Sequence, residues 1–440
     1  MGFKSSQISS TLLFFLSICL CPNGGLAQEN KIYTLERSIT EAFTNNWALK
    51  AKSEKIDQAV YVKNKARAGF LPKLSTTYGY TRLSEARTFR SAQFASGAIS
   101  SQDNYQWKAT VTQPVFTGFA LISSFRLAQL GIDQSEMELE LDRLDLALKV
   151  KEAYFNILKA DKALEVAKKA VESLESHVKV AQNFYKVGMI PINDLLKAEV
   201  ELANAQHDLV KAQNASRLSR CSFNTVLSRA IDLPVEAEDV LGYIVERGEF
   251  REYLEKGLAN RPEMKLLDVN IHQTDQQIGL AKSGNYPEVV FTYDYVKEGD
   301  DPDVSGSPYH DANRWEAMAG LTWTFWEWGK THYSAKEKES LKKELIQTRK
   351  ALEDSVRLEV KNAVLGLEEA EKNIPTTSKA VKQAEENLRV SRERYKAQVT
   401  TSTEVLDAQT LLTRARTNYY NALYDHKLAK AKLQRAIGTY

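Results

Sequence analysis

Two carboxylates near the C-terminal end of the chain are spaced so that they can act together. Glu404 and Asp407 lie three residues apart at the start of a predicted helix, so they share one face of it. Carboxylates repeated in a ring around an opening attract cations, repel anions and can bind a blocking polyvalent cation. Acidic side chains are also favourable at any helix N-terminus, and this simpler explanation stays open. A ring would require several copies of this helix to meet around one opening.

The segment that carries these carboxylates occurs twice in the chain. Residues 39–80 reappear at 254–295 with a shift of 215, and residues 113–228 reappear at 323–438 with a shift of 210. A repeat of about 200 residues is far longer than a solenoid unit. The chain therefore contains two copies of one ancestral half, and its fold should show internal pseudo-symmetry.

The two copies differ at the positions of the carboxylates. Asp194 is the counterpart of Glu404, whereas Lys197 stands where the second copy has Asp407. A gate built from inner and outer helix pairs would need the two copies to differ. The divergence therefore marks this end of the repeat as the candidate gate.

The chain divides into four predicted segments. They are a secretory signal at 1–27, a first repeat at 28–230, an inter-repeat linker in the equatorial region at 231–249 and a second repeat at 250–440. The signal is predicted from a positive start, an apolar stretch too short to span a bilayer, and small residues before the cut. The mature chain is therefore expected to leave the cytoplasm.

Cysteine usage is consistent with an oxidising compartment without disulfides. Cys19 and Cys21 belong to the predicted signal, and Ile18 and Leu20 do not match the small residue expected before a lipidated Cys. The mature chain then retains Cys221 alone, which excludes an intrachain disulfide. Burial and hydrogen bonding must stabilise the fold.

Composition and motifs argue against several function classes. Removing Lys4 with the signal takes the formal charge from +2 to +1, whereas nucleic-acid binding requires a strongly basic face. The six His residues are scattered, and no nucleophile elbow or phosphate loop occurs. Residues 301–306 resemble the start of a calcium loop, but position twelve is Ala312 rather than Glu, so a solvated loop is favoured. We predict no catalytic residues, metal or cofactor.

Each repeat predicts the same order of elements. An opening helix ends at Gly before Pro, and the strands alternate with period two in β-branched and aromatic residues. In the first repeat the predicted bounds are 35–69 for the opening helix, 74–80 for the first strand, 82–104 for a polar loop, 107–115 for the second strand and 119–185 for a long helix. In the second repeat the same elements are predicted at 250–284, 289–295, 297–313, 315–325 and 329–395. A break at 187–193, and at 397–403 in the second repeat, precedes a returning helix.

The long helix is predicted to form a coiled coil. At 1.5 Å per residue it would be about 100 Å long, far beyond a globular domain. Its apolar positions run from Ala153 to Tyr185, and again from Ala363 to Tyr395, in alternating steps of four and three. This is the 3.5-residue period of a coiled coil. Many of these positions are Ala, so neighbouring helices must approach closely.

The hairpins are predicted to enter a membrane. Five aromatic residues would suit a girdle at a bilayer surface: Trp107, Phe116, Trp323, Trp326 and Trp328. A hairpin packed on a soluble core is the alternative. Four strands per chain cannot close a membrane barrel, since barrels begin at about eight strands and open edges are costly in lipid. Copies must share a barrel; a dimer gives eight strands and a trimer twelve, and a wide lumen favours the trimer.

These features together resemble the TolC-type outer-membrane efflux proteins over nearly the whole mature chain. The resemblance rests on the matching halves and on the order and spacing of four segments, none of which is decisive alone. The segments are Gln113-Pro114-Val115-Phe116, Tyr185-Lys186-Val187-Gly188-Met189, Arg261-Pro262-Glu263 and Glu404-Val405-Leu406-Asp407-Ala408.

The resemblance implies a mainly α homotrimer with a membrane β-barrel part. A twelve-stranded barrel would stand on a long periplasmic α-helical coiled-coil barrel, in the outer membrane of a Gram-negative bacterium. The protein would be the passive exit duct of a tripartite efflux or type I secretion system. An inner-membrane transporter would deliver substrates to it through a periplasmic adaptor. The alternative is a non-transporting periplasmic coiled-coil scaffold, whose hairpins would serve as dimer contacts.

The resemblance also assigns roles to single residues. Glu404 and Asp407 fall on the family's acidic entrance ring, and Tyr395 and Asp194 match positions that hold the entrance closed. The tips would contact the adaptor through six turn residues, which are Val187, Gly188, Met189, Ala397, Gln398 and Val399. Gly188 permits a positive φ and close approach of a partner, although any helical hairpin favours a small residue there.

The second tip departs from the family pattern. Some members carry Gly and a basic residue where this chain has Gln398 and Thr400. A salt bridge from this tip to Asp194 is therefore not expected. Closure would depend on neutral hydrogen bonds instead.

Overall fold

The computed structural model describes residues 32–89, 97–239, 242–243 and 248–440. The predicted signal at 1–27 and parts of the predicted linker lie outside these residues. The helices are α1 (Leu35–Asn45), α2 (Trp47–Ala68), α3 (Ala120–Lys186), α4 (Ile192–Val226), α5 (Phe250–Asn260), α6 (Pro262–Lys282), α7 (Lys330–Lys396) and α8 (Ser402–Ala436). The strands are β1 (Ile32–Tyr33), β2 (Lys73–Arg82), β3 (Thr88–Phe89), β4 (Gly97–Ala98), β5 (Asp103–Thr117), β6 (Glu236–Ala237), β7 (Glu288–Gly299) and β8 (Asn313–Thr322).

The two predicted hairpins join in one antiparallel sheet with the order β2-β5-β7-β8. Thr76 pairs with Ala109, Ala109 with Tyr295, and Tyr295 with Trp315, so these residues lie on one face. Within the described residues, β2 and β8 each have a strand partner on one side only in this sheet. The single chain therefore contains an open sheet with two free edges.

The two faces of this sheet differ in polarity, as period two requires. One face is mainly apolar and aromatic. The opposite face carries ion pairs, with Lys108 Nζ at 2.7 Å from Asp294 Oδ2 and Arg314 Nη2 at 2.8 Å from Glu298 Oε1. The apolar face consists of Leu74, Thr76, Tyr78, Tyr80, Trp107, Ala109, Val111, Val289, Phe291, Tyr293, Tyr295, Trp315, Ala317, Ala319 and Leu321. This division suits a wall with lipid outside and water inside.

The sheet differs in detail from the sequence prediction. The strand predicted to reach Phe325 ends at Thr322, which pairs with Glu288, the first residue of its partner strand β7. The polar loop predicted at 82–104 contains the short β3–β4 pair. Of the predicted girdle, Trp107 lies towards the loop end of the sheet and the other four residues lie at its helical end.

The two long helices are confirmed, and each contains 67 residues. At 1.5 Å per residue each is about 100 Å long. The predicted seam is buried at positions such as Ile157 and Ala181, both 0% exposed, and Leu388, which is 4% exposed. The long helix α3 packs against α2, α4, α6 and α8, whereas α7 contacts α5, α6 and α8. Among the described residues, no helix combines the length and apolar character needed to cross a bilayer.

Each opening helix is interrupted, which corrects the predicted continuous helix. The break falls at Asn46 and Arg261, which are equivalent positions with φ and ψ of −61° and 123°, and −61° and 126°. In the second copy Pro262 disfavours a helical conformation at the residue before it. In the first copy the Asn46 side chain accepts hydrogen bonds from the N–H groups of Ala48 and Leu49 and so caps the next helix.

A buried ion network surrounds the break in the second copy. Arg261 is 3% exposed and donates to Glu263 at 2.8 Å and Glu359 at 2.6 Å. Arg435 of α8 joins the network, at 2.9 Å from Glu263 and 2.9 Å from Asp145 of α3. The Arg261-Pro262-Glu263 segment thus joins α6, α7, α8 and α3 at mid-height.

A second anchor ties the inter-repeat linker to the helices. β1 pairs in parallel with β6, a two-residue pairing that the sequence did not reveal. The Tyr154 hydroxyl lies 2.9 Å from the Tyr33 carbonyl and 2.8 Å from the Glu238 carbonyl, and it shares its proton between them. Tyr424 donates to Asp239 at 2.9 Å. Burial raises the pKa of Tyr154 to about 12, so its hydroxyl remains a donor.

Candidate functional site at the helical tips

The two helical tips have the same backbone geometry. In the first, Gly188 has φ +75° and the Met189 N–H donates to the Phe184 carbonyl at 2.8 Å. In the second, Gln398 has φ +63° and the Val399 N–H donates to Arg394 O at 3.0 Å. This 6→1 bond with a left-handed residue is the Schellman helix end. The predicted breaks are confirmed as tight turns.

The tips present apolar side chains to solvent. Val187 is 68% exposed, Met189 58% and Val399 63%. A Cβ added at Gly188 would have no neighbour within 4 Å. The six predicted turn residues therefore lie together at the extreme end of the helices, where a partner could reach them.

Glu404 lies just past the second tip and is bound to its own chain. Arg394 Nη1 at the end of α7 donates to Glu404 Oε1 at 2.9 Å, and the Thr400 hydroxyl donates to Oε2. The Arg394 side chain is 50% exposed and that of Glu404 41%, so solvent screens the pair. Sequence reasoning missed Arg394, because their contact depends on how the turn folds back. Part of the Glu404 charge is therefore neutralised.

Asp407 is directed towards a different neighbour. It is exposed and lines an open cavity of about 490 Å³ between the starts of α4 and α8. Lys197, the residue that replaces it in the first copy, lines the same cavity together with Thr403. The two carboxylates therefore have different surroundings: Glu404 is paired with Arg394 of α7, whereas Asp407 lines the groove beside α4.

Tyr395 is buried between the two helical hairpins. It is 3% exposed, and its ring centroid lies 4.9 Å from that of His177 and 5.6 Å from that of Phe184. Burial raises the pKa of the Tyr395 phenol, and the charge of Asp194 raises it further. Its hydroxyl has no hydrogen-bond partner of normal geometry among the described residues. Its counterpart Tyr185 is 42% exposed, so the copies differ strongly at this position.

A buried polar cluster next to Tyr395 was not predicted. His177 Nε2 of α3 lies 2.8 Å from the Ser402 hydroxyl at the start of α8. Burial, with the nearby charge of Arg392, lowers the pKa of His177 to about 4. Arg392 of α7 donates to the Ser173 hydroxyl and to Gln409 Oε1. Within the described part of the chain, Arg392 makes no ion pair with a carboxylate, so its partners are neutral.

The described residues at the tips form two tight turns, an exposed ion pair and a buried polar cluster. Across the described ranges, no group of His, Cys, Asp or Glu is arranged to hold a metal ion. In the loop that resembled a calcium site, Asp301 Oδ1 instead accepts the Ser305 N–H at 3.3 Å.

Known proteins share this sequence pattern and this fold. The sequence profile described as outer membrane efflux protein matches residues 38–224 and 253–439, which make up most of both repeats. The chain therefore belongs to the outer membrane efflux protein family. It is an outer-membrane efflux channel that extends into the periplasm of a Gram-negative bacterium, and channels of this family are passive rather than enzymatic.

Individual relatives are distant, and TolC and the solved structures extend over nearly the whole chain. The outer membrane protein TolC of Vibrio cholerae is 24% identical over 420 residues, covering 92% of this chain and 90% of that protein. The cobalt-zinc-cadmium resistance protein CzcC of Cupriavidus metallidurans is 23% identical over 257 residues, 58% of this chain and 57% of that protein. The structure of CusC superposes with a TM-score of 0.79 at 16% identity and covers 96% of both chains. The CmeC channel of Campylobacter jejuni gives 0.79 at 17% identity, over 92% of this chain and 85% of that one.

Proposed function

We propose that this chain forms the homotrimeric exit duct of a tripartite efflux or type I secretion system. An inner-membrane pump would deliver the substrate through a periplasmic adaptor, and the duct would supply no energy. The observation that carries the proposal is the open sheet, whose β2 and β8 edges each have a strand partner on one side only within the described residues. Unpaired edges are costly in lipid, so copies must close the barrel together. Membership of an efflux channel family argues against the scaffold alternative.

Exposed apolar side chains on the helices also support contact between copies of the chain. Within one chain, Val180 and Phe184 of α3 pack against the apolar cluster formed by Leu388, Tyr395, Val405, Ala408 and Leu412. The counterpart of Val180 is Val390 of α7, which is 39% exposed. α4 also exposes an apolar side chain in the single chain, since Val210 is 62% exposed. We infer that α7 packs against α2 and α4 of the next copy.

The tips would form the periplasmic entrance. In a trimer Glu404 and Asp407 would each give three carboxylates around the opening, and such a ring would draw cations. We infer that Asp407 contributes most of this charge, because Arg394 pairs with Glu404 in each chain. Tyr395, with Asp194 nearby, would hold the inner hairpin closed by burial rather than by a salt bridge.

The exposed turn residues would receive the adaptor. Val187, Met189 and Val399 give the tips an apolar surface that a helical hairpin of the adaptor could cover. The division into a removed signal at 1–27, repeats at 28–230 and 250–440 and a linker at 231–249 belongs to the same proposal.

The first experiment tests assembly and conductance. The full chain, expressed with its signal and extracted from outer membranes in detergent, should migrate as a heat-modifiable trimer and conduct ions in planar bilayers. A monomeric rod in the soluble periplasmic fraction would rule the duct out.

A second experiment tests the docking at the tips. Met189→Asp combined with Val399→Asp should abolish export in cells while trimer formation and conductance persist. The matched control is Ile99→Asp combined with Tyr309→Asp, which alters two exposed side chains in the strand-connecting loops, far from the tips. Normal export by the double variant would contradict docking at these residues.

A further inference from the structure

We propose that Trp328 docks on Phe70 and Leu71 of a second copy of this chain and forms the apolar joint between copies below the sheet. The inference rests on the proposed trimer and adds the contact that seals it. Trp328 is 85% exposed in the single chain, Leu71 62% and Phe70 38%. The equivalence of the two repeats predicts that Trp328 of one copy meets Phe70 and Leu71 of the next.

Hydrogen bonds within each repeat confirm that the two repeats are equivalent where the opening helix meets the sheet. In the first copy Gln113 Nε2 donates to the Phe70 carbonyl at 3.1 Å. In the second copy Trp323 Nε1 donates to the Asn285 carbonyl at 3.2 Å, and these are the positions shifted by 210 and 215. A chemically different donor thus makes the same bond.

Two glycines confirm the same equivalence. A Cβ at Gly69 would lie 3.1 Å from Leu121, and a Cβ at Gly284 would lie 3.1 Å from Thr331. Leu121 and Thr331 are counterparts with a shift of 210. The end of the opening helix therefore sits on the start of the long helix in the same way in both copies.

Within one chain, the first repeat meets the second where Gly118, just before α3, contacts Ser283 and Tyr286, just after α6. This internal joint is tight. Gly118 has φ +59°, and a Cβ there would lie 2.4 Å from the Ser283 carbonyl and 2.9 Å from Tyr286 Cβ. The neighbouring Phe119 ring meets the Tyr286 ring at 5.4 Å. No side chain fits at this position, so the joint is a backbone contact that requires Gly.

At the corresponding position after the second hairpin, the side chain is exposed in the single chain. Trp328 stands at the Gly118 position with φ +52°, a conformation that is costly for a bulky residue. The counterparts of Ser283 and Tyr286 are Ala68 and Leu71. In a closed ring, these residues of the next copy face Trp328, as Ser283 and Tyr286 face Gly118 within the chain.

A Trp cannot reproduce the backbone contact made by Gly118. The joint between copies must therefore be wider, with the indole filling the space over Phe70 and Leu71. Trp326 lies beside Trp328, with ring centroids 5.8 Å apart, and extends the aromatic surface. Large aromatic side chains contribute strongly to interfaces when they are covered. A strained backbone persists where surrounding contacts compensate for it, and we infer that the next chain of the trimer supplies those contacts.

The test is a disulfide between copies. Trp328→Cys and Leu71→Cys are combined with Cys221→Ser, and outer membranes are oxidised mildly before non-reducing electrophoresis. The equivalent Cβ positions lie 2.9 Å apart in the tight internal joint, so in the wider joint between copies their separation should fall near the roughly 3.5–4.5 Å that a disulfide requires. Covalent dimers and trimers are expected. The matched control is Phe325→Cys with Leu71→Cys, since the Phe325 counterpart Val115 is 64% exposed within the chain and should not cross-link.

The outcomes separate this inference from the duct itself. Heat-modifiable trimers that form no cross-link at Trp328 would overturn the joint and leave the duct intact. Loss of trimers in the Cys221→Ser parent would count against the duct. If brominated phospholipid quenches Trp328 in trimers whose other Trp residues are replaced by Phe, the indole faces lipid and the joint is refuted.

A second variant measures what the joint contributes. Trp328→Gly restores the residue found at the equivalent position of the first repeat, Gly118. It also relieves the strain of a positive φ at this position, so the chain should fold. The temperature at which the trimer dissociates in detergent should fall. An unchanged or higher dissociation temperature would show that Trp328 does not hold the copies together.

Discussion

Arg394 closes the last turn of α7 by donating to Glu404 at 2.9 Å across the turn to α8. This contact changes the electrostatic expectation for the proposed entrance. A carboxylate held by a guanidinium presents less charge to the opening than a free one. The acidity of the entrance therefore depends on a basic residue that the sequence pattern did not single out.

Arg394→Gln should make the channel more cation-selective. Removing the guanidinium frees Glu404, so reversal potentials in a salt gradient should shift towards the cation value and a trivalent cation should block at lower concentration. Because the pair is half exposed, the expected change in affinity is modest, about three- to fivefold for a contribution below about 1 kcal/mol. Arg389→Gln is the matched control, since Arg389 pairs with Glu386 on the exposed surface of α7. Equal behaviour of the two variants would contradict the assignment.

Asp194→Ala should change the resting conductance little. The described residues contain no ion pair to Asp194, and Tyr395 is held by burial against His177 and Phe184. Tyr395→Ala, by contrast, should cost about 3–5 kcal/mol through loss of a buried aromatic side chain and should open the entrance. Planar-bilayer recordings of both variants decide the matter. A large leak in Asp194→Ala would show that a charge interaction holds the entrance closed.

Stability at the tips should fall in weak acid because of His177. Its pKa is lowered from 6.5 to about 4 in the folded chain, so below 6.5 the unfolded state binds more protons. The stability is fully present above pH 6.5 and is lost as the pH falls towards 4. Between pH 7 and pH 5 the loss should be about 2 kcal/mol per chain.

Urea unfolding at the two pH values measures this loss. His177→Gln should reduce it, because Gln can still bond Ser402 but does not titrate. The control is His207→Gln, which changes an exposed His on α4. An equal loss in wild type and His177→Gln would remove His177 as the cause.

Arg261→Ala should destabilise the fold more than most single substitutions. It would leave Glu263 and Glu359 with Arg435 as their remaining guanidinium, and removing one partner of a buried pair costs up to about 3–5 kcal/mol. Burial by itself would raise the pKa of Glu263, but the hydrogen bond and charge of Arg261, with the charge of Arg435, lower it overall. This stability is present above the ordinary value of 4.5 and is lost as the pH falls through the lowered pKa.

Thermal unfolding at neutral pH and below pH 4 tests this network. Wild type should lose stability in acid, and Arg261→Ala should lose less because part of the network is already absent. Arg251→Ala provides a control, since Arg251 pairs with Glu255 on the surface. A neutral Arg261→Ala would contradict the structural role of the network.

The sequence predicted those parts of the fold that depend on a long, regular pattern. The 3.5-residue period defined α3 and α7 to within one residue at each end, and period two placed all four strands of the main sheet. The break at Arg261 had a visible cause in Pro262, but its counterpart at Asn46 had only a capping side chain. Such a cap acts locally and leaves no trace in the periodicity.

The contacts at the candidate site were harder to predict. His177 and Ser402 are 225 residues apart in sequence and meet because the two hairpins pack together. Arg394 reaches Glu404 because the turn folds back on itself. The sequence placed Tyr395, Asp194, Glu404 and Asp407 at one end of the molecule. It could not show that Glu404 pairs with α7 while Asp407 lines the groove beside α4, because that depends on tertiary packing.

The equal lengths of the paired helices constrain how this molecule can change. α3 and α7 each contain 67 residues, and α4 and α8 each contain 35. Deleting one heptad from α3 alone would raise its tip by about 10 Å relative to that of α7. The same heptad would also have to leave α4, α7 and α8 for the ends to stay level. The length of the helical part can therefore change only in matched steps across all four helices.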